Sequence, residues 1–551
     1  MPESSRRFAP ELWDVICQNV KNERDLFSLV VTCKSSSPFA LDALWRDLPA
    51  LWPLVNLFPT DLIKERKESE GDISPSFVTV LARSIQPSDW DRVLVYAARV
   101  MALIIIPEID FFCRRRIDGP SSRLIPTYMR VSPDTYHAMI RSCPVPSIFT
   151  RLRQVEAQWS TKLSLSMLQF SVPPDLKTVS LYVSGEVSEE FTSLPAGLSI
   201  LSTVGTSCPQ VESLTFQAPL SSFYEESDMR AQLLDTFSSM VCKWMNLRSV
   251  VMPYASDDSF LHLSSLPALA HLVLKDAFAE HLILPETSLP KILFRALREV
   301  ELECHHLPFV IDLFNYLSSA RLESVIVTVR HNFPLPSTWL DFINLLCTVS
   351  DPQTLRVLKL VEEGDDDEDL YEDVDLRSLG PKFFVALHSF LNLLELRIES
   401  MVEPDISEAD VKALAYALPH LTNLVINQTW TYLCGTPCPP PRLSMAILPL
   451  LATACPALTE ISLFLNTRGA LGTIQGLQDV PNVVKSLSVG RSPLRASDVD
   501  AVDEFLAKVF PNLTSVECTF KDADMDEDEL ISEYNESWDD TVGIRLYLLV
   551  P

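Results

Sequence analysis

The residue types that commonly carry out chemistry are present in this chain, but their spacing matches no catalytic or metal-binding pattern. The sequence holds no Gly-x-Ser-x-Gly turn, no phosphate-binding glycine loop and no His-Glu-x-x-His motif. His305 and His306 are adjacent, so a strand would direct them to opposite sides. Cys434 and Cys438 form a single loose pair, whereas a structural zinc ion needs two more ligands. We therefore expect no catalytic residue, no metal site and no cofactor.

The acidic side chains are concentrated in two tracts. Of the 551 residues, 73 are acidic and 45 are basic, which gives a net charge of −28. Such a charge argues against general binding to nucleic acids or anionic membranes, because both repel an acidic surface. Residues 362–375 and 522–540 each hold ten acidic and no basic residues, so the rest of the chain carries only −8. The exclusion of nucleic acids and anionic membranes as partners then rests only on the absence of a basic patch.

The two acidic tracts have several interpretations. We expect residues 362–375 to form a loop that protrudes from the fold and residues 522–540 to precede a final strand. Solvated segments are the default for such runs of charge. Docking to basic proteins is an alternative, while calcium binding is disfavoured because no EF-hand spacing with its central glycine is present.

Targeting features predict an intracellular protein. The first eight residues are polar and include Arg6 and Arg7, and no apolar secretory core follows them. The most apolar stretch, residues 93–106, is interrupted by Arg99 and is shorter than the roughly 20 residues that span a bilayer. The 12 cysteines are scattered, as expected for reduced, buried thiols. We expect a cytoplasmic and/or nuclear protein whose partners include neither a membrane nor a nucleic acid.

The first fifty residues predict three short helices. Apolar residues recur at four-residue spacing after Pro10, which suits the first turn of a helix. A second helix should follow Asn22, whose side chain can cap free backbone amides, and a third should follow Ser37 as its cap, with Pro38 in its first turn. Three helices of this length cannot bury all their apolar side chains among themselves. Some apolar surface should therefore remain for a partner.

The same region resembles an F-box in the order and spacing of three blocks, residues 8–13, 25–34 and 40–48, with Phe8 where that family usually has leucine. F-boxes bind the Skp-type adaptor of a Skp-cullin-F-box ubiquitin ligase, and through it a cullin. The alternative is a small helical cap that packs on the next domain. The resemblance implies that eight residues lie at or under the adaptor interface, namely Pro10, Leu12, Ile16, Leu26, Leu29, Val30, Cys33 and Trp45.

An apolar spacing repeats through most of the remaining chain. Leu-x-x-Leu-x-Leu, with other bulky apolar residues allowed, places two apolar side chains on one face of a short strand. The mean interval between matches is about 30 residues, which leaves room for a helix in each repeat. The thirteen matches begin at Leu152, Leu176, Val211, Leu247, Leu269, Leu297, Leu322, Leu355, Leu393, Leu421, Leu458, Val484 and Leu513.

Two repeats show their helix clearly. Ser407 with Asp410 predicts a capped helix start, Pro419 predicts its end, and residues 497–511 follow the same plan. Parallel strands that return through helices cover one face of their sheet. We therefore predict an α/β fold, with a short three-helix F-box followed by an irregular solenoid whose parallel strands lie on the concave face and whose helices lie on the convex face. An ordinary layered α/β fold is the alternative.

The repeats resemble leucine-rich-repeat proteins with long, helix-bearing repeats. The asparagine position of that family is filled at Asn466 but is taken by His305, Glu363 and Lys521 in other repeats, which predicts an irregular array. An N-terminal F-box followed by such repeats resembles the F-box proteins of mushroom-forming fungi. The stretch Trp-x-x-Val-x-x-Tyr-Ala-x-Arg-Val at residues 90–100 adds to this likeness.

Target recognition in such an array would use strand residues that flank the apolar positions. The triplet Glu299, Glu301 and Glu303 stands out, because like charges at alternate strand positions repel unless something offsets them. A cationic patch on a partner is one candidate. Polar residues at these positions also occur in any soluble solenoid. The further candidates are His271, Lys275, Glu395, Arg397, Glu399, Glu460 and Phe464.

These observations predict three segments: an F-box-like module at residues 1–58, a charged linker or loop at 59–75, and the repeat array at 76–551. The function they favour is a non-catalytic substrate-recognition subunit of a Skp-cullin-F-box ubiquitin ligase that acts in ubiquitin-dependent protein degradation. The alternatives are a leucine-rich-repeat interaction scaffold without a ligase role and an enzyme with an unfamiliar site. The sequence does not identify the target.

Overall fold

The computed structural model consists of two compact units, Met1–Leu266 and Pro267–Pro551. The residues that it describes are 9–69, 76–105, 111–116, 124–159, 168, 172–183, 194–217, 227–253, 256–277, 282, 293–317, 321–330, 334–363, 378–401, 404–428, 441–467, 483–490, 492 and 494–517. Most of the acidic tract 362–375 and all of the tract 522–540 lie outside them.

The first unit begins with helices and continues into alternating strands and helices. Its helices are α1 Pro10–Asn19, α2 Glu23–Thr32, α3 Ser37–Arg46, α4 Trp52–Val55, α5 Trp90–Ala97, α6 Pro133–Ser142, α7 Leu194–Ser207, α8 Ser227–Val241 and α9 Asp257–Ser265. Its strands are β1 Asp47–Leu48, β2 Ile63–Ser69, β3 Ser76–Leu81, β4 Ala102–Ile105, β5 Phe111–Arg116, β6 Leu124–Val131, β7 Gln154–Trp159, β8 Thr178–Val183, β9 Ser213–Gln217 and β10 Ser249–Pro253.

These strands form two sheets. Six of them pair in parallel in the order β1-β4-β7-β8-β9-β10. The other four form a mixed sheet in the order β2-β3-β6-β5, in which only β3 and β6 run parallel. The segment 59–75, expected to be a linker or loop, thus contributes strand β2 instead.

The second unit continues the strand-helix alternation. Its helices are α10 Leu307–Tyr316, α11 Pro336–Val349, α12 Pro381–Ala386, α13 Glu408–Ala417, α14 Ile447–Ala454 and α15 Val499–Val509. Its strands are β11 His271–Ala277, β12 Glu299–Cys304, β13 Ser324–Arg330, β14 Val357–Glu363, β15 Glu395–Ser400, β16 Asn423–Gln428, β17 Leu443–Ser444, β18 Glu460–Leu463, β19 Leu465–Asn466, β20 Ser486–Ser488 and β21 Ser515–Glu517.

Nine strands of the second unit pair in parallel in the order β11-β12-β13-β14-β15-β16-β18-β20-β21, and β17 pairs separately with β19. Each of the thirteen apolar matches in the two units stands two residues before a strand. All thirteen starting residues are buried. Each of the thirteen strands predicted from the apolar spacing is therefore present at its predicted position.

One face of the second unit's sheet is covered by helices. Side chains of β13 alternate between buried and half-buried, with Val325, Val327 and Val329 buried. Successive helices from α10 to α15 lie next to one another, and Phe314 of α10 meets Phe342 of α11 edge to face at 5.1 Å between ring centroids. The predicted α/β fold, with parallel strands on one face and helices on the other, is confirmed.

Most predicted helix ends are correct to within one residue. Asn22 caps α2 by accepting from the backbone N–H of Arg24, and Ser407 and Asp410 form a capping box at the start of α13. The third helix is preceded by Ser36 rather than Ser37. Ser36 is buried there, and its hydroxyl donates to the carbonyls of Leu29 and Cys33.

Candidate functional site

The charged candidates lie on the strand face that the helices leave uncovered. In β12, Glu299, Glu301 and Glu303 alternate with residues that are buried beneath the helices. Directly paired residues of neighbouring strands share a face, and Glu299 is paired with His271 on one side and Ser324 on the other. The register therefore brings together most of the predicted target-binding residues.

Basic residues of neighbouring strands offset the glutamate triplet. Lys275 contacts the carboxylate of Glu301 and lies 3.4 Å from that of Glu303. Arg330 of β13 lies 2.7 Å from the other oxygen of Glu303 and 3.1 Å from Glu363. The side chain of Glu303 is only 13% exposed, so the two cations offset part of the cost of burying its charge. Burial lowers the pKa of Lys275, but Glu301 and Glu303 outweigh burial and raise it overall.

The same pattern continues along the sheet. Lys359 of β14 lies 2.8 Å from Glu395, and Arg397 lies 2.7 Å from Glu399. The side-chain amide of Asn423 donates to Glu460 at 2.6 Å. The candidate surface is therefore a ladder of paired charges within and across strands, not an isolated acidic triplet.

Phe464 does not belong to this exposed ladder. It follows β18 and is only 9% exposed, and the flanking Leu463 and Leu465 are both buried as well. The alternation of buried and exposed residues already stops at Ser462, which is buried within β18. Phe464 therefore offers little exposed area for direct contact with a target.

Replacing Lys275 with methionine should lower the free energy of unfolding by about 1 kcal/mol, because Glu301 and Glu303 would lose their shared cation while largely covered. Urea unfolding followed by circular dichroism measures this change. Arg298→Met is the matched control, since Arg298 and its partner Glu323 are both well exposed, and we expect almost no effect. Equal effects of the two substitutions would contradict the proposed role of Lys275.

A buried carboxylate joins three elements on the helix side of the sheet. Glu362 of β14 is 5% exposed. It accepts hydrogen bonds from Nε1 of Trp339 at 2.7 Å, the hydroxyl of Ser400 at 2.9 Å and the backbone N–H of Met401 at 2.8 Å. Burial raises the pKa of Glu362 more than the three donors lower it. The expectation that Glu362 lies in a solvated acidic loop is wrong, because this residue belongs to strand β14 and faces the core.

The helical module has its own small core. Cys17, Leu26 and Ala40 are buried, and Leu29 and Val30 pack against them. Among the eight predicted adaptor-binding residues, Pro10 and Leu12 are exposed, Leu26 is buried, and Ile16, Leu29, Val30, Cys33 and Trp45 are half-buried. Leu26 can therefore only support an interface from beneath, whereas Leu12 is available for direct contact.

Three exposed apolar residues of the module were missed by the sequence analysis. Val15 of α1 and Phe27 and Val31 of α2 are more than half exposed, and Leu12 is 43% exposed. We call these four residues the apolar surface of the module. Val15, Phe27 and Val31 fall outside the apolar stripes predicted for the helices, which is the signal in the sequence that distinguishes them.

The module is joined to the sheet without a break. Helix α3 ends at Arg46, and β1 begins at the next residue and pairs with β4. Arg99, which follows α5, contacts Asp42 of α3 and donates to the carbonyl of Pro38 at 3.3 Å. Trp45 packs on Tyr96 with 4.8 Å between ring centroids. The helices therefore hold a fixed orientation relative to the strands of the first unit.

Within the part of the chain that the structure describes, no group of three His, Cys, Asp or Glu residues is placed to hold a metal ion. Burial raises the pKa of the thiols of Cys208 and Cys304 to about 12, as expected for cysteines that serve as buried apolar residues. The predicted pair Cys434 and Cys438 lies outside the described residues. No described helix has both the length and the apolar character needed to cross a membrane.

Comparisons with known proteins give only distant likenesses. No protein-family model and no curated protein matches this sequence. Among solved structures, a chain of the Rad7 and Elc1 complex of yeast is 14% identical with a TM-score of 0.34, covering 74% of this chain and 90% of that one. The leucine-rich repeat-containing protein LegL7 from Legionella pneumophila is 14% identical with a TM-score of 0.29, covering 62% and 94%. The fold assignment therefore rests on the strand register and burial of this chain itself.

Proposed function

We propose that this protein is a substrate-recognition subunit of a Skp-cullin-F-box ubiquitin ligase. Its helical module would bind the Skp-type adaptor, and through it a cullin, while the strand face of the array binds a protein target. The single observation that carries the proposal is the apolar surface of Leu12, Val15, Phe27 and Val31, in the region that resembles an F-box. Exposed apolar residues on short helices are typical of a binding site for another protein.

Burial within the module supports its role as a docking unit. The side chains of Cys17, Leu26 and Ala40 fill its interior, so the exposed residues are not needed there and can be covered by a partner. Phe27 alone would contribute a large apolar area to an interface, as aromatic residues commonly do. The roles of the eight residues derived from the resemblance remain predictions.

The strand ladder supports the target-binding role. Lys359 lies beside Glu395 of the neighbouring strand, and Arg397 lies beside Glu399 of its own strand, so these charges have partners before any target arrives. A target would replace or add to these ion pairs with charges of its own. A target that placed a charge next to a residue of the same sign would bind poorly. Such a surface favours selective recognition over general affinity for basic proteins.

The direct connection between α3 and β1 supports a receptor rather than two modules on a flexible linker. Arg99 and Arg151 both reach Asp42 of α3, and the backbone N–H of Met101 donates to the carbonyl of Arg46. A ligase receptor must present its target at a defined place, and this junction holds the module firmly against the first strands.

The alternative function is an interaction scaffold whose helical module only closes the end of the array. Its support is the packing of Trp45 on Tyr96 together with Leu48, which is buried in the terminal strand β1. These contacts are what an end cap needs. They do not use the exposed residues Leu12, Phe27 and Val31.

Reconstitution distinguishes the two functions. Purified full chain is combined with Skp-type adaptor, cullin, activating and conjugating enzymes and ubiquitin, and ubiquitin transfer to proteins held by the array, or to the chain itself, is followed by immunoblotting. The ligase proposal predicts transfer that depends on both the chain and the adaptor. A chain that holds its partners equally well without adaptor, and supports no transfer with it, would favour the scaffold.

A further inference from the structure

Two neighbouring helices of the second unit expose both apolar and basic side chains. Val385 of α12 and Tyr416 of α13 are more than half exposed, and the two helices lie next to each other. Lys382 stands one turn before Val385, Lys412 stands one turn before Tyr416, and both lysines are exposed. Residues three or four apart share one side of a helix. We call these four residues the basic-apolar patch.

The opposite sides of these helices belong to the core. Phe383 and Phe384 of α12 are buried, as are Val411 and Leu414 of α13. The basic-apolar patch therefore lies on the solvent side of both helices, and its side chains are not needed to hold the helices on the sheet.

The lysines of the patch have no acidic partner of their own. The acidic residue one turn before Lys412 is Glu408, which accepts from the backbone N–H of Ser444 at 3.1 Å and from the hydroxyl of the same residue. Within the part of the chain that the structure describes, neither Lys382 nor Lys412 forms an ion pair. A partner that carries carboxylates beside apolar side chains would therefore complement the patch in both respects.

The chain itself contains a segment of this kind beyond its last described strand. Strand β21 ends at Glu517, and the acidic tract 522–540, which lies outside the described residues, follows it with ten acidic and no basic residues. Leu530, Tyr534 and Trp538 recur in this tract at four-residue spacing, so they would share one side of a helix. The tract combines the carboxylates and the apolar side chains that the patch calls for.

The tract 522–540 is close enough in the chain to reach the patch. Four strand spacings separate β15, which precedes α13, from β21, a distance of about 19 Å at about 4.8 Å per spacing. Residues 518–529 connect β21 to Leu530, and about 12 extended residues span up to about 40 Å. This length leaves about 20 Å for the passage from the sheet to the helix layer.

Charge and spacing disfavour the alternatives within the second unit. On the strand face, Glu299 and Glu460 are exposed and would repel the carboxylates of the tract 522–540. The internal tract 362–375 carries the same charge, but its apolar residues Leu370 and Val374 have no third member at four-residue spacing, because position 378 is serine. The tract 522–540 is therefore the better match for two adjacent helices.

We propose that residues 522–540 dock on the basic-apolar patch. Their carboxylates pair with the two lysines, and their three apolar residues cover Val385 and Tyr416, as when an amphipathic helix lies on an apolar surface. Docked in this way, the tract stays on the helix side of the sheet and leaves the strand face open to a target. The proposal goes beyond the ligase function and does not depend on it.

Hydrogen–deuterium exchange of the full chain, followed by mass spectrometry, tests this proposal. In the parent protein the amides of residues 530–540 should exchange at least about tenfold more slowly than in a synthetic peptide of the same sequence. Lys382→Glu combined with Lys412→Glu should bring their exchange to within about twofold of the peptide. Arg321→Glu combined with Lys485→Glu is the matched control, since both residues are exposed in the second unit outside the patch, and the slow exchange should persist.

A second pair of substitutions tests the apolar part of the patch. Val385→Ala combined with Tyr416→Ala should speed exchange at residues 530–540 at least about fivefold relative to the parent protein. Exchange in the parent protein as fast as in the peptide would overturn the proposal, and so would slow exchange that survives both pairs of substitutions. If the lysine variant instead sped exchange only at residues 364–377, the patch would belong to the internal tract and the proposal would be wrong. Circular dichroism and adaptor co-purification should be unchanged in all variants, which keeps this test separate from the ligase proposal.

Discussion

Changing Leu12 and Phe27 together to aspartate should abolish co-purification of this protein with the Skp-type adaptor. Both side chains are exposed, at 43% and 60%, so the free protein should tolerate the charges. In the complex the two carboxylates would enter an apolar interface without partners, and desolvating them is costly. We expect an affinity at least about 100-fold lower, equivalent to about 2.7 kcal/mol.

The choice of residues and the control make this experiment specific. Leu29 would be a poorer target than Phe27, because it packs against the module's core and its substitution could unfold the helices. Val385→Asp combined with Tyr416→Asp is the matched control, since both residues are equally exposed apolar residues of the second unit. Adaptor recovery should persist in this control. Equal recovery of adaptor with the Leu12 and Phe27 variant would contradict the F-box assignment.

Changing Glu362 to alanine should lower the free energy of unfolding by about 3 kcal/mol. The substitution leaves Nε1 of Trp339, the hydroxyl of Ser400 and the backbone N–H of Met401 buried without their acceptor, and each such loss costs about 1–3 kcal/mol. Removal of a buried charge offsets part of this cost. Urea unfolding followed by circular dichroism measures the change.

Glu363→Ala is the control for this prediction. It makes the same substitution one residue further on, on the exposed face of the strand, where Glu363 pairs with Arg330. We expect an effect below about 1 kcal/mol, as for other exposed ion pairs. If alanine at the two positions destabilised the protein equally, the hydrogen bonds of Glu362 would not have the role described.

The stability of the protein should also depend on pH through Glu362. Because burial raises the pKa of Glu362 in the folded state, the folded protein holds its proton more tightly than the unfolded chain does. Its favourable contribution is complete below the ordinary glutamate pKa and is lost as the pH rises through the raised value. The stability of the parent protein relative to Glu362→Gln should therefore decrease as the pH rises above about 4. A difference that is constant, or that grows with pH, would contradict this.

The repeats could be predicted from the sequence because burial and local spacing agree. Each match supplies a buried residue, and a strand starts two residues later, as at Leu297 with Glu299 and Leu355 with Val357. The strand β4 carries the same spacing at Val100, Leu103 and Ile105, all of them buried, and was not recognised as a repeat. Apolar periodicity is a local property of the sequence, so each strand can be predicted from its own segment alone.

The remaining features depend on contacts between distant segments. Glu362 lies in an acidic run that favours solvent, and its burial follows only from the donors that Trp339 and Met401 supply. The offset of Glu303 by Lys275 and Arg330 requires the register of three strands. The mixed sheet depends on the pairing of β3 with β6, about 50 residues later. Its strand β2 lies in a charged segment that has the composition of a linker.

Whether the helical module binds a Skp-type adaptor is best measured by calorimetric titration of the purified full chain with the purified adaptor. We expect saturable binding of one adaptor per chain, with a dissociation constant of about 1 μM or tighter, and at least about 100-fold weaker binding when Leu12 and Phe27 are both changed to aspartate. A folded protein that binds no adaptor, or that binds it equally well with both substitutions in place, would contradict the account and leave the scaffold as the function.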